Sequence, residues 1–240
     1  MAATVVLVHG AFHGSGYWAP TLKGLANLGI NALAPDLPGR GADTRPQPDL
    51  LGDIAALTEV LDGVPGPIVL VGHSYGGAVV TGAGLHPNVE HVVVLAGYLL
   101  EEGETINTAG VVGEVEGIDH TGRPNLRDAL SIEDGVATIL PEPARPIFYS
   151  DFDDEQYAEI ITMLSPQRLD SFNQHPGKYA FYEKKSTFLV CNNDMVIHPH
   201  IQRIMARRTT RAAAWDCGHF PMITEADKTV RFLAKIAGQV

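Results

Sequence analysis

The stretch IVLVGHSYGG, residues 68–77, decides the fold. Its first half is apolar throughout, as expected for a strand buried on both faces, and a helical pattern begins at Tyr75. Between them Ser74 stands at the centre of a G-x-S-x-G pattern, which places a nucleophile on a tight strand-to-helix turn. Side chains at the two glycine positions would collide with the neighbouring strand and helix. The pattern therefore predicts Ser74 as a nucleophile held above a sheet, near the positive end of a helix.

Other apolar runs of the same kind alternate with amphipathic helical patterns along the chain. They lie at residues 4–8, 31–35, 91–96, 187–191 and 211–216. Alternation of strand and helix predicts an α/β fold with a mostly parallel sheet of about six strands, right-handed crossovers and helices on both faces.

The alternation is interrupted between residues 100 and 185, a segment too long for a plain loop. Within it Tyr157, Ile160, Ile161 and Leu164 recur at helical spacing. We therefore predict a core formed by residues 1–99 and 186–240, with an inserted helical cap at residues 100–185.

A nucleophilic serine needs a base and an acid that orients it. His219 lies just past a predicted strand beside a flexible glycine, and Asp194 follows the strand at residues 187–191. The chain order Ser…Asp…His is the one used with this type of turn. Asp216 is a weaker rival for the acid, because its place three residues before His219 is typical of a strand end. A structural histidine remains the alternative for His219.

The negative charge that develops in acyl transfer needs preorganised N–H donors. We expect one from the backbone of Tyr75 and the second from Ala11, in the glycine-rich loop at residues 9–14. A simple strand-to-helix turn is the alternative for this loop.

Aromatic residues near strand ends and in the cap are candidates for the substrate pocket, with cap packing as an equal alternative. They are Phe12, His13, Tyr98, Phe148 and Tyr149. An apolar lining of this kind would suit short-acyl or aromatic esters without charge.

The formal net charge of −11 argues against binding to nucleic acid or to anionic membranes. Residues 101–160 carry fifteen acidic side chains against three arginines, a net −12, so the rest of the chain is at +1. This acidic segment is either a solvated surface or a lid that disfavours anionic substrates.

Several further expectations concern location and cofactors. No apolar run reaches the roughly 20 residues of a membrane span and the first residues lack a signal-peptide pattern, so we expect a cytoplasmic protein. Cys191 and Cys217, at the ends of predicted neighbouring strands, are expected to be reduced. His198, His200 and Asp194 lack a convincing third ligand, so we expect no metal. A homodimer remains open.

These motifs resemble a known family. Residues 8–14, the turn at 72–77 and the surroundings of Asp194 and His219 resemble the esterase branch of the α/β-hydrolase superfamily, near plant methylesterases, hydroxynitrile lyases and bacterial carboxylesterases. The resemblance covers residues 3–100 and 186–238. It implies six to eight strands, no cofactor, and ester cleavage through an acyl-enzyme.

Departures from the motifs of related families reduce the number of activities that we expect. Hydroxynitrile lyases have a lysine after the histidine and a threonine in the first loop, where this chain has Phe220 and Gly10. Dehalogenases and epoxide hydrolases use an aspartate in place of Ser74. A carboxylesterase acting on a small-molecule ester is therefore expected. A thioesterase, a lactonase, a C–C hydrolase and a non-enzymatic receptor remain open.

Overall fold

The computed structural model describes residues 3–109 and 121–240. Its core is a sheet of six strands: β1 (Thr4–Val8), β2 (Ala32–Leu33), β3 (Ile68–His73), β4 (Val89–Leu95), β8 (Lys185–Cys191) and β9 (Arg211–Trp215). Their order across the sheet is β2-β1-β3-β4-β8-β9, and every adjacent pair of strands is parallel. All six predicted strands are present, which confirms the α/β-hydrolase fold class.

The predicted strand bounds agree with the structure to within two residues at each end. The run at residues 4–8 is β1 without change, whereas the run at 31–35 forms a strand of two residues. That run lies at the edge of the sheet, where short strands are common.

Helices cover both faces of the sheet. They are α1 (Ala19–Asn27), α2 (Leu50–Asp62), α3 (Tyr75–Ala83), α6 (Pro199–Ala206), α7 (Pro221–Thr224) and α8 (Ala226–Ala237). Val5 and Leu7 of β1 pack in one apolar cluster with Leu233 of α8, and Val6 and Val8 pack in a second with Leu57 of α2. Because successive strand residues point to opposite faces, a strand covered on both sides must be apolar at every position.

We predicted a helical cap, and the structure adds a small sheet to its helices. The cap contains the helices α4 (Pro141–Phe148) and α5 (Asp154–Ile160), and also a three-stranded antiparallel sheet. The strands are β5 (Leu130–Glu133), β6 (Val136–Ile139) and β7 (Gln167–Arg168). Asp134 and Gly135 join β5 to β6 with φ of 48° and 77°. An Asp-Gly pair between two short alternating runs is a hairpin signal that the sequence did contain.

In the two described segments, no helix combines the length and apolarity that crossing a bilayer requires. Ser74, Asp194 and His219 lie in the segments that follow β3, β8 and β9, so they gather along the carboxyl edge of the sheet.

Candidate active site

Ser74 occupies a strained turn between β3 and α3, with φ of 53° and ψ of −122°. This is a left-handed conformation that L side chains seldom adopt. A Cβ added at Gly72 would lie 2.4 Å from the Gly76 carbonyl oxygen, and one at Gly76 would lie 2.6 Å from the His9 carbonyl oxygen. Both glycines of the motif are therefore required by close backbone packing, as the sequence indicated.

The structure brings Asp194 and His219 together above the sheet. His219 Nδ1 lies 2.8 Å from Asp194 Oδ2, and both side chains are buried. Since a carboxylate accepts, Nδ1 carries the proton, and Nε2 of the neutral imidazole remains as an acceptor. Ser74 and His219 line the same small cavity, whereas the rival Asp216 accepts a hydrogen bond from the Asn192 side chain.

The Asp194 carboxylate has a complete set of donors. Its Oδ1 accepts from the backbone N–H groups of Val196 and Ile197 at 2.7 and 3.0 Å. Its Oδ2 accepts from Gln202 Nε2 at 2.7 Å in addition to His219. Sequence reasoning missed Gln202, because its position on α6 shows no pattern that points to the loop after β8.

The loop after β1 lies against the turn at Ser74. A Cβ at Gly10 would be 2.9 Å from Ser74 Cβ, so the glycine permits the approach. Ala11 lines the cavity, and in the described part of the chain no hydrogen bond involves its N–H. The N–H of Tyr75 is at the first position of α3, where a helix offers no internal acceptor. The two predicted oxyanion donors are thus in the right region for that role.

A buried chain of hydrogen bonds links this loop to the loop that carries His219. The Gly10 N–H donates to the Tyr17 hydroxyl at 2.6 Å, and that hydroxyl lies 2.9 Å from His73 Nδ1. His73 Nε2 lies 2.8 Å from the His219 carbonyl oxygen, so it must be the donor. Burial holds the pKa of His73 well below its usual value, which keeps the ring neutral within this series of hydrogen bonds.

The cavity at Ser74 is small, about 30 Å³, and largely aromatic. Its lining is Ala11, Phe12, His73, Ser74, Tyr75, Tyr98, Leu126, Phe148, Phe172, Val196, His219 and Phe220. Of the predicted pocket residues, Phe12, Tyr98 and Phe148 are in this lining. None of the described lining residues is Asp, Glu, Lys or Arg.

His13 and Tyr149, which we predicted to line the pocket, do not line it. The backbone turns at Phe12, with φ of 66°, so Phe12 faces the cavity while His13 points into the core. There the Tyr149 hydroxyl lies 2.9 Å from His13 Nε2. The prediction that these two residues contact the substrate was therefore wrong.

A wider cleft of about 430 Å³ adjoins the cavity and shares Tyr98, Leu126 and Val196 with it. Arg123 lines this cleft and donates from Nη2 to the Asp194 carbonyl oxygen at 2.6 Å. Burial is the main cause that lowers the pKa of this guanidinium from its ordinary value. Sequence reasoning did not single out Arg123.

The two cysteines are buried neighbours. Cys217 Sγ lies 3.4 Å from Cys191 Sγ, and both thiols are free. The hydrogen bond from Cys217, followed by burial, raises the pKa of the Cys191 thiol. Within the described residues, no group of three or more His, Cys, Asp and Glu could hold a metal ion.

A serine on a strained turn, a buried Asp–His pair, a parallel sheet and a cap together define an α/β hydrolase. The model of the alpha/beta hydrolase family matches residues 5–232, and the chain belongs to this family.

Curated relatives of the chain are hydrolases and esterases. The alpha/beta hydrolase nvfD of Aspergillus novofumigatus is 24% identical, over 98% of this chain and 96% of its own length. Methylesterase 10 of Arabidopsis thaliana is 26% identical, over 98% and 91%. Among solved structures, a pyrethroid hydrolase from Sphingobium faniae superposes with a TM-score of 0.83 at 21% identity, covering 99% of this chain and 98% of that one. These likenesses class the chain as a hydrolase and confirm the resemblance to the esterase branch.

Proposed function

We propose that the chain is a serine hydrolase that cleaves small, neutral carboxylic esters through an acyl-enzyme. The observation that carries this proposal is the Asp194–His219 hydrogen bond of 2.8 Å, since His219 lines the same cavity as Ser74. This hydrogen bond leaves His219 Nε2 as a base for the serine hydroxyl, the arrangement that acyl transfer requires.

In the first half of the reaction, His219 Nε2 takes the Ser74 proton as Oγ attacks the ester carbonyl. The N–H groups of Tyr75 and Ala11 stabilise the oxyanion of the tetrahedral intermediate. The imidazolium then gives its proton to the departing alcohol, while Asp194 stabilises its charge. In the second half water attacks the acyl-enzyme by the same route, which restores the serine.

The walls of the cavity support the choice of substrate. They are aromatic and aliphatic, and the described lining residues include no charged partner for an ionic group. A charged group placed in this cavity would lose hydration without compensation, because the guanidinium of Arg123 lines the adjoining cleft and donates there to the Asp194 carbonyl. The exposed acidic residues of α5, such as Glu155 and Glu159, line a separate surface cleft away from Ser74.

Hydrolysis of a p-nitrophenyl ester series from acetate to octanoate tests the mechanism. We expect Ser74→Ala to lose about 10⁴-fold or more in kcat. Ser131→Ala is the matched control, because Ser131 is exposed on β5 in the cap. Equal activity of Ser74→Ala and the wild type would rule out the serine mechanism.

A matched pair of esters tests the substrate class. We expect p-nitrophenyl butyrate to be preferred at least about tenfold over the hemisuccinate, which has similar length and one carboxylate. Equal turnover would remove the restriction to neutral esters. A thioester or lactone hydrolysed much faster than every ester would move the assignment to that class. Small-molecule binding without turnover would indicate a receptor.

A further inference from the structure

Three consecutive carbonyl oxygens of the loop after β1 accept hydrogen bonds. The Gly10 carbonyl accepts from His9 Nδ1 at 2.8 Å, and the Ala11 carbonyl accepts from His13 Nδ1 at 3.0 Å. The Phe12 carbonyl accepts from the Ser165 N–H of the cap at 2.7 Å. Since a trans peptide is planar, holding the Gly10 carbonyl towards His9 directs the Ala11 N–H the opposite way. His9 thus fixes the direction of the Ala11 N–H itself, whereas His13 and Ser165 of the cap anchor the two peptide planes that follow it.

The orientation of His13 depends on the cap in turn. Its Nδ1 must carry the proton because it faces the Ala11 carbonyl, so Nε2 is an acceptor. The Tyr149 hydroxyl, 2.9 Å from Nε2, supplies the donor. Burial lowers the pKa of His13 to about 4, so the ring stays neutral near pH 7 and keeps this single arrangement.

Tyr149 is itself well placed for this role. It directly follows α4, it is 1% exposed, and its ring stacks on that of Phe220 with centroids 5.6 Å apart. Two residues further on, the Asp151 carboxylate accepts from the Gly218 N–H at 2.6 Å. The end of α4 therefore contacts both the loop that carries Ala11 and the loop that carries His219.

We propose that Tyr149 of the cap is a positioning residue for the oxyanion hole, acting through His13. Its hydroxyl fixes the ring and tautomer of His13, and His13 in turn holds the Ala11 carbonyl. Since the Ala11 carbonyl belongs to the peptide that follows the donor N–H, anchoring it limits the rotation of Ala11. The N–H therefore keeps its direction towards the developing oxyanion, as such donors require. This inference rests on the proposed serine hydrolase function.

The cap also provides a matched control. Tyr157 lies on α5 with its ring centroid 5.7 Å from that of Tyr149. Its hydroxyl is buried, and no described residue hydrogen-bonds to it. Tyr149→Phe and Tyr157→Phe therefore remove the same atom from adjacent buried rings, and only the first removes a hydrogen bond.

The experiment compares five proteins: the wild type, Tyr149→Phe, Tyr157→Phe, His13→Phe and the double variant Tyr149→Phe/His13→Phe. We measure kcat and KM on the best p-nitrophenyl ester, and the rate at which a fluorophosphonate labels Ser74. We expect Tyr149→Phe to lower kcat and the labelling rate about tenfold or more, with KM within about twofold, since losing one oxyanion donor outright costs about 10²–10³. Tyr157→Phe should stay within about twofold of the wild type.

The double-mutant cycle distinguishes an effect of Tyr149 that acts through His13 from an effect of Tyr149 on packing. If Tyr149 acts through His13, the double variant loses no more kcat than His13→Phe alone. Equal losses in Tyr149→Phe and Tyr157→Phe, or additive losses in the double variant, would overturn the inference. If Tyr149→Phe does not fold, an unchanged kcat in His13→Phe overturns it equally. A wild type that neither hydrolyses esters nor reacts with fluorophosphonate would instead overturn the proposed function, and the inference with it.

Discussion

The Gln202 side-chain amide lies 2.7 Å from Asp194 Oδ2, the same oxygen that accepts the hydrogen bond of His219. The carbonyl side of this amide accepts from the Cys191 N–H at 3.0 Å, at the end of β8. Gln202 thus fixes the direction of the Asp194 carboxylate relative to the sheet. A residue of α6, outside the candidate triad, therefore sets the position of the carboxylate to which His219 is hydrogen-bonded.

Gln202→Leu tests this relationship. The change removes a donor to Asp194 and leaves the buried Cys191 N–H without its acceptor, so we expect kcat to fall about tenfold and stability to fall by about 1–3 kcal/mol. The matched control is Gln174→Leu, because Gln174 also accepts from a backbone N–H, that of Leu50, and donates to an aspartate, Asp49, away from the site. A similar drop in kcat for both variants would contradict a role in the site.

Replacing Ser74 by glycine tests the strain in the turn. A φ of 53° suits glycine, so Ser74→Gly should raise the free energy of unfolding by about 1 kcal/mol while abolishing activity. For a chain of this length that corresponds to about 2–4 °C in Tm. Ser74→Ala keeps the strain and should melt near the wild type. A glycine variant no more stable than the alanine variant would mean that the turn stores no strain.

Buried histidines should make the protein sensitive to acid. Burial lowers the pKa of His9 and of His13 from 6.5 to about 4. The unfolded chain takes up these protons below about pH 6.5 and the folded chain does not, so stability present above pH 6.5 is lost as the pH falls towards 4. Together the two should lower the free energy of unfolding by about 3 kcal/mol between pH 7.5 and 5.5. Urea denaturation at the two pH values measures the free energy of unfolding. Equal free energies at both would contradict the lowered pKa values of these histidines.

A buried ion pair supports Tyr75. Arg40 Nη1 lies 2.8 Å from Asp53 Oδ1, both side chains are 0% exposed, and Asp53 Oδ2 accepts from the Tyr75 hydroxyl. Asp53→Asn leaves the arginine charge without a partner, so we expect a loss of about 3–5 kcal/mol in urea denaturation. Asp170→Asn is the control, because its pair with Arg168 is about half exposed and should contribute at most about 1 kcal/mol. Equal losses of stability in the two variants would show that burial does not increase the contribution of the Arg40–Asp53 pair to stability.

The core of the fold was predictable because its signals are local. A strand covered on both faces must be apolar throughout, which is why the bounds of β1 were read correctly from residues 4–8. Ser74, Asp194 and His219 could be placed at one edge of the sheet because each follows a predicted strand. The residues after parallel strands meet at that edge.

The cap was less predictable because its packing depends on contacts across the chain. His13 and Tyr149 are 136 residues apart in sequence, and their hydrogen bond has no local pattern. Whether Phe12 or His13 faces the cavity depends on one positive φ at Phe12, which composition does not reveal. The hairpin of β5 and β6, in contrast, was predictable from the sequence, since the Asp134-Gly135 pair is a hairpin signal.

The size of the cavity at Ser74 has a kinetic consequence. About 30 Å³ accommodates little more than two water molecules, far less than the acyl and alcohol halves of an ester. An ester bound at Ser74 must therefore extend into the adjoining cleft of about 430 Å³, or side chains of the lining must move to admit it. If such a movement precedes acylation, association with ester should be slower than encounter by diffusion.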